Sequence, residues 1–219
     1  MRVSVSVCAL SFVSLIVCSD AQACSVPASY RVPSTLQLVE ESDAIVLARV
    51  VDGGPAAYEP FARVGGRNAR LVPFAAIKGQ YAGLRILFED AVLELQSDEV
   101  RATPSDPRNL VDANPDTFAG SCNRYVFKPG MIVVAFLKRD GKDFVRYAPA
   151  FSRALEDVPN ENALWVKAVR MYAAIAEKPK AARRKEMQRQ RDTLRFELDD
   201  PDARLLALEL DRALRDVIR

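Results

Sequence analysis

The residue types that usually carry catalysis are sparse in this chain of 219 residues, which has four cysteines and no histidine. Without histidine there can be no Ser-His-Asp or Cys-His nucleophile system and no imidazole metal ligand. Gly120-Ser121-Cys122 has the outline of a cysteine nucleophile but no base to take its proton, so Cys122 reads as structural. Asp199 to Asp202 lacks the alternating oxygen ligands and central glycine of a calcium loop and reads as helix capping. Glu40, Glu41 and Asp43 read as exposed acids between a helix end and a strand. Lys178 to Arg191 (KPKAARRKEMQRQR) could meet a polyanion, but Asp192, Glu197, Asp199 and Asp200 follow at once, as on a solvated helix face. With no phosphate loop, CxxC pair or nucleophile elbow, the chain is expected to be no enzyme and to hold no cofactor. A formal net charge of +2 gives no reason to expect nucleic acid as a partner.

Cys24 is the residue whose position is unusual. Arg2 is a minimal basic region, Val3 to Val17 is apolar, and Ala21-Gln22-Ala23 has the A-x-A form of a signal-peptidase site. Cleavage there makes residues 1–23 a signal peptide and Cys24 the first mature residue, in a secreted or periplasmic protein. A lipoprotein site would also place cysteine first, but favours leucine at position 21 and a small residue at 22. The apolar stretch is shorter than the roughly 20 residues a membrane span needs, and no later stretch is long enough. Cys8 and Cys18 leave with the signal, so Cys24 and Cys122 remain in an oxidising compartment. They form either one internal disulfide or an intermolecular bridge. Closing a loop of about 100 residues stabilises by up to about 4 to 5 kcal/mol in the chain-entropy model.

The elements that must position these residues fall in two regions. All nine glycines lie between Gly53 and Gly141. There, turns and strands are expected: a helix over Ser34 to Glu41 with Ser34 and Gln37 at capping-box spacing, then strands over Ala44 to Asp52, Ala69 to Lys78, Leu84 to Glu89, Met131 to Lys138 and Asp143 to Ala148. Pro73 marks an edge or a bulge, and Asp140-Gly141 a hairpin turn. Ala91 to Gly120 reads as a surface excursion. After about Asn160 come helices: Trp165, Ala168, Val169, Tyr172 and Ile175 share one face, and Met187, Leu194 and Leu198 another. A last helix is expected to start with Asp200 as N-cap and Pro201 next, carrying Leu206, Leu210, Leu214 and Val217.

Cys24-Ser25-Val26-Pro27, then Ser42 to Val50 (SDAIVLARV), then Ala76-Ile77-Lys78-Gly79 occur in an order that resembles the N-terminal inhibitory domain of the tissue inhibitors of metalloproteinases, a netrin-like module, over roughly residues 24–158. The resemblance implies a mainly β fold with α elements: a five-stranded OB-fold-like barrel, followed here by a helical C-terminal extension over 159–219. In that family the first cysteine bonds to one just before a glycine-turned hairpin, which implies a Cys24 to Cys122 disulfide. A second family bridge would fall at Val26 and near Ala148, and both partners are missing. The family's N-terminus enters a metalloproteinase cleft. The α-amine and carbonyl of Cys24 would then chelate the partner's zinc at its open position, with Ser25, Val26 and Pro27 as further partner-binding residues and Ser25 aimed at the specificity pocket. An α-amine has a pKa of about 8, so freeing its lone pair near neutral pH costs about 1 kcal/mol. The expected function is a protein-binding module that inhibits a zinc metallopeptidase. The alternative is an envelope scaffold that assembles through its helices.

Overall fold

Ser34 starts the first helix by satisfying two backbone donors at once: its hydroxyl accepts from the Gln37 N–H, and the Gln37 carboxamide oxygen accepts from the Ser34 N–H at 2.8 Å. This capping box opens α1 (Thr35–Glu41) in the computed structural model, which describes residues 25–57, 59–80, 86–88, 91–95, 100–119 and 121–216. The expected signal peptide, Cys24 and Val217 lie outside the described residues. The other end of α1 is closed from a distance. Lys78 Nζ donates to the carbonyls of Val39 and Ser42 at 2.7 and 2.6 Å, and burial lowers its pKa while Asp43 and Glu40 oppose that. Gly79 follows with φ +72°, where a Cβ would stand 3.0 Å from the Asp43 carbonyl oxygen. The Lys-Gly pair is therefore a helix cap joined to a turn that only glycine fits.

Strand β1 (Ala44–Pro55) is the centre of the sheet, paired antiparallel with β2 (Arg67–Lys78) on one side and, across its other edge, with β6 (Ile132–Asp140). Between β1 and β2 in sequence lies the short α2 (Glu59–Ala62). The shorter strands are β3 (Ile86–Leu87), β4 (Val92–Leu93), β5 (Val126–Phe127), β7 (Asp143–Arg146) and β8 (Asp157–Val158). They form one sheet in the order β3-β7-β6-β1-β2-β4-β5, with β8 added on β6. The chain is thus β-rich with a helical C-terminus, but among the described residues the sheet contains eight strands in an open order, where five in a barrel were expected. Pro73 does sit at a bulge: the β1–β2 register slips between Leu47 and Ala48, leaving Phe74 as the extra residue. The β6–β7 hairpin turns through Gly141 at φ +57°, the positive value that two-residue hairpins need.

The continuous apolar run of β1 is explained by burial on both faces. Ala44, Val46, Ala48 and Val50 point into one core with Val133, Ala135, Leu137 and Phe127. Ile45 and Leu47 point into another, with Val134 and Phe136. That second core is closed by α3 (Leu164–Ala176), α4 (Lys180–Phe196) and α5 (Ala203–Asp216). The predicted face of α3 is buried in full, and Leu206, Leu210 and Leu214 of α5 meet it. Helix α4 buries Met187, while its basic run is neutralised by pairs such as Arg183–Glu40, Arg189–Glu186 and Arg195–Asp211. Leu198 lies beyond the end of α4 and is 91% exposed, because the helix stops at Phe196. Helix α5 starts at Ala203, not at Pro201. Asp200 accepts from the Asp202 N–H at 2.9 Å and pairs with Lys167, capping a turn before the helix.

The segment expected to be a surface excursion is partly core. Ala91, Val92, Leu93, Leu110 and Asn114 are buried. Polar contacts hold it: Arg124, buried, pairs with Asp157 and donates to the Thr103 carbonyl at 2.9 Å, while Asn114 donates its backbone N–H to Glu156 at 2.8 Å and its amide to Thr103 at 2.8 Å. Removing one member of a buried ion pair leaves the other charge uncompensated, typically at a cost of about 3 to 5 kcal/mol. Arg124→Leu is therefore expected to lower the urea midpoint strongly, and Arg124→Leu with Asp157→Leu to recover much of the loss. Equal midpoints for the single variant and the parent would show that the pair does not hold the segment.

Candidate functional site

The strip that leads into α1 begins with Ser25, Val26 and Pro27, of which Ser25 and Pro27 are exposed and Val26 half-buried. A turn follows, closed by the Tyr30 N–H donating to the Pro27 carbonyl at 2.8 Å. The Tyr30 hydroxyl then donates to the Ala150 carbonyl at 2.7 Å, and burial raises its pKa. This hydrogen bond fastens the strip just beyond Ala148.

Phe151 comes next and joins this anchor to Cys122. Its N–H donates to the Cys122 carbonyl at 2.7 Å, and its ring stacks on Phe118 with centroids 5.4 Å apart. Phe151 and Cys122 take φ of +58° and +59°, values that non-glycine residues adopt at a cost. Cys122 is buried and disulfide-bonded. Cys8, Cys18 and Cys24 all lie outside the described residues, so its partner does too. Of the residues singled out from sequence, the structure thus links Cys122 to the strip bearing Ser25, Val26 and Pro27, through Phe151, Ala150 and Tyr30. Neither Tyr30 nor Phe151 carries a sequence signal for this role, since the contact spans 120 positions.

The strip continues as Arg31-Val32-Pro33 into the wall of a cleft of about 1200 Å³, bounded by α1, the loop through Val111 and Phe118, α4 and α5. Val32, Val111 and Phe118 expose large apolar surface there. Arg153 also lines it, 7% exposed, with its guanidinium 4.0 Å above the Trp165 ring. Deeper charges are paired: Arg212 donates to Glu209 at 2.7 Å, and Glu209 accepts from the Tyr172 hydroxyl at 3.1 Å. Burial, then Glu209, raises the Tyr172 pKa well above its ordinary value, so this phenol stays a donor. Among the described residues no cluster of acidic, cysteine or histidine side chains could hold a metal ion, and no helix is long and apolar enough to cross a membrane.

Compared with family models, with curated proteins and with solved structures, the chain matches none.

Tyr30→Phe removes the hydroxyl that donates to Ala150 and keeps the ring. It is expected to cost about 1 kcal/mol of stability and to speed proteolytic cleavage within residues 25–33. Cleavage at the parental rate would show that the strip is not held at Tyr30.

Proposed function

We propose that this chain is an exported protein-binding module of netrin-like OB type, which presents its mature N-terminal strip to a zinc metallopeptidase. The observation that carries the reading is the anchored strip. Cys122 is disulfide-bonded and Tyr30 is tied to Ala150, yet Ser25 and Pro27 remain exposed. A terminus tied down yet exposed loses little entropy on entering a cleft. In this reading Cys24 is the disulfide partner of Cys122. It offers only backbone atoms, its α-amine and carbonyl, to the partner's metal.

The strand pairings support the barrel part of the proposal. If β3 and β4 are counted together, the pairings form a circuit. β1 pairs β2, β2 pairs β4, β3 pairs β7 in parallel, β7 pairs β6, and β6 returns to β1. Four antiparallel junctions and one parallel junction are the set that an OB-type barrel needs, and they surround the core of Val46, Leu71, Phe88 and Leu137. The scaffold alternative needs helices free to assemble with others, whereas Trp165, Tyr172 and Leu210 are buried in the same core as Ile45 and Phe136.

The test is a single added residue. Exported protein whose N-terminal sequence starts at Cys24 is expected to inhibit a zinc endopeptidase stoichiometrically, and a variant with one alanine before Cys24 to lose at least about 100-fold in affinity, as expected when a metal ligand is displaced. Equal inhibition by both forms would remove the amine from the mechanism. An acylated Cys24, or a different mature start, would sink the proposal directly.

A further inference from the structure

Arg153 is a buried cation with one loosely placed acid beside it and too few hydrogen-bond acceptors. Its Nε and Nη1 atoms are buried with no hydrogen-bond acceptor, and so is Nε1 of Trp165, the ring beneath it. Glu156 is the nearest acid, with Oε1 3.7 Å from Arg153 Nε, close enough to attract but too far to hydrogen-bond, and that oxygen already accepts from the Asn114 N–H. Buried polar groups in folded proteins are almost always satisfied, so three donors together without an acceptor need an explanation. Arg153 lines the cleft described above, whose walls carry the exposed apolar side chains of Val32, Val111 and Phe118.

We infer that this cleft is a binding site for a long-chain carboxylate, with its headgroup on Arg153 and its chain along Val32, Val111 and Phe118. A guanidinium matches a carboxylate in a two-point hydrogen-bonded pair, and burial strengthens that pair by excluding water. The size of the cleft suits an extended apolar body with one polar end. A single negative charge is favoured over a phosphate dianion because Glu40, Asp112, Glu209 and Asp216 line the same cleft. Arg183 and Arg212 are hydrogen-bonded there by Glu40 and Glu209, whereas Arg153 has Glu156 only at 3.7 Å, which leaves its guanidinium short of acceptors for the headgroup to supply. The strip contributes Arg31, Val32 and Pro33 to this site, whereas Ser25, Val26 and Pro27 do not line it.

Trp165, the chain's single tryptophan, reports on the site because its ring stacks on Arg153. Titrating the full mature chain with dodecanoate is expected to change the Trp165 emission with saturation at one equivalent. Acetate and dodecyl maltoside are expected to bind at least about tenfold more weakly, lacking the chain and the charge respectively. Arg153→Met should weaken dodecanoate binding about tenfold to a hundredfold, the range for a charged hydrogen bond. Val111→Ser gives a second arm that leaves Arg153 in place: it should weaken dodecanoate more than octanoate. Dodecyl maltoside binding as tightly as dodecanoate would overturn the role of Arg153. Tighter binding of dodecyl phosphate would overturn the choice of headgroup. An unchanged emission at millimolar dodecanoate would overturn the site itself.

Discussion

Strand β1 has to be buried on both of its faces, and most of the molecule follows from that requirement. Its even-numbered residues from Ala44 to Val50 fill the core enclosed by the sheet, while Ile45 and Leu47 fill the core beneath the helices. Burying each of these larger side chains contributes about 1.5 to 3 kcal/mol, and a slip of one residue would exchange the two sets. Helices α3 to α5 are therefore part of the fold. Without them the outer faces of β1 and β6, with Leu47, Val134 and Phe136, would lie open to water. The division at residue 158 separates element types, and the packing runs across it.

That double-sided strand also fixes what surrounds the site. Helix α1 packs Leu38 and Val39 into the outer core and is closed by its own capping box at one end and by Lys78 from β2 at the other. The strip before α1 is therefore attached to a rigid base. At Tyr30 it is tied to the Ala150-Phe151 segment, which in turn holds Cys122 in a left-handed backbone conformation. The same two features, α1 and the Phe118–Phe151 stack, form walls of the cleft over Arg153. The exposed strip and the cleft are thus neighbours on one scaffold, with a buried cation in the cleft.

Where the deciding interactions are local, the amino-acid sequence is informative. Ser34 with Gln37, Asp140-Gly141, the bulge at Pro73 and the buried face of α3 all depend on residues a few positions apart. The segment between β4 and β5 was misread because it is buried by polar contacts. Arg124, Asp157, Asn114 and Glu156 resemble surface residues until their partners, tens of positions away, are known. Arg153 was missed for a related reason: its isolation from acceptors is a property of packing and leaves no pattern in the chain. The N-cap assigned to Asp200 was right in chemistry and early in position, since Lys167 draws that carboxylate into a turn ahead of α5.

The account rests most heavily on the base of the strip, where Cys122 is bonded to a cysteine outside the described residues. Peptide mapping of the exported protein without reduction tests this directly by mass. The account predicts one cross-linked species joining the peptide that contains Cys122 to a peptide that begins at Cys24 with a free α-amine. A free Cys122 thiol, a Cys122 to Cys122 dimer, or a Cys24 bearing a lipid would contradict it.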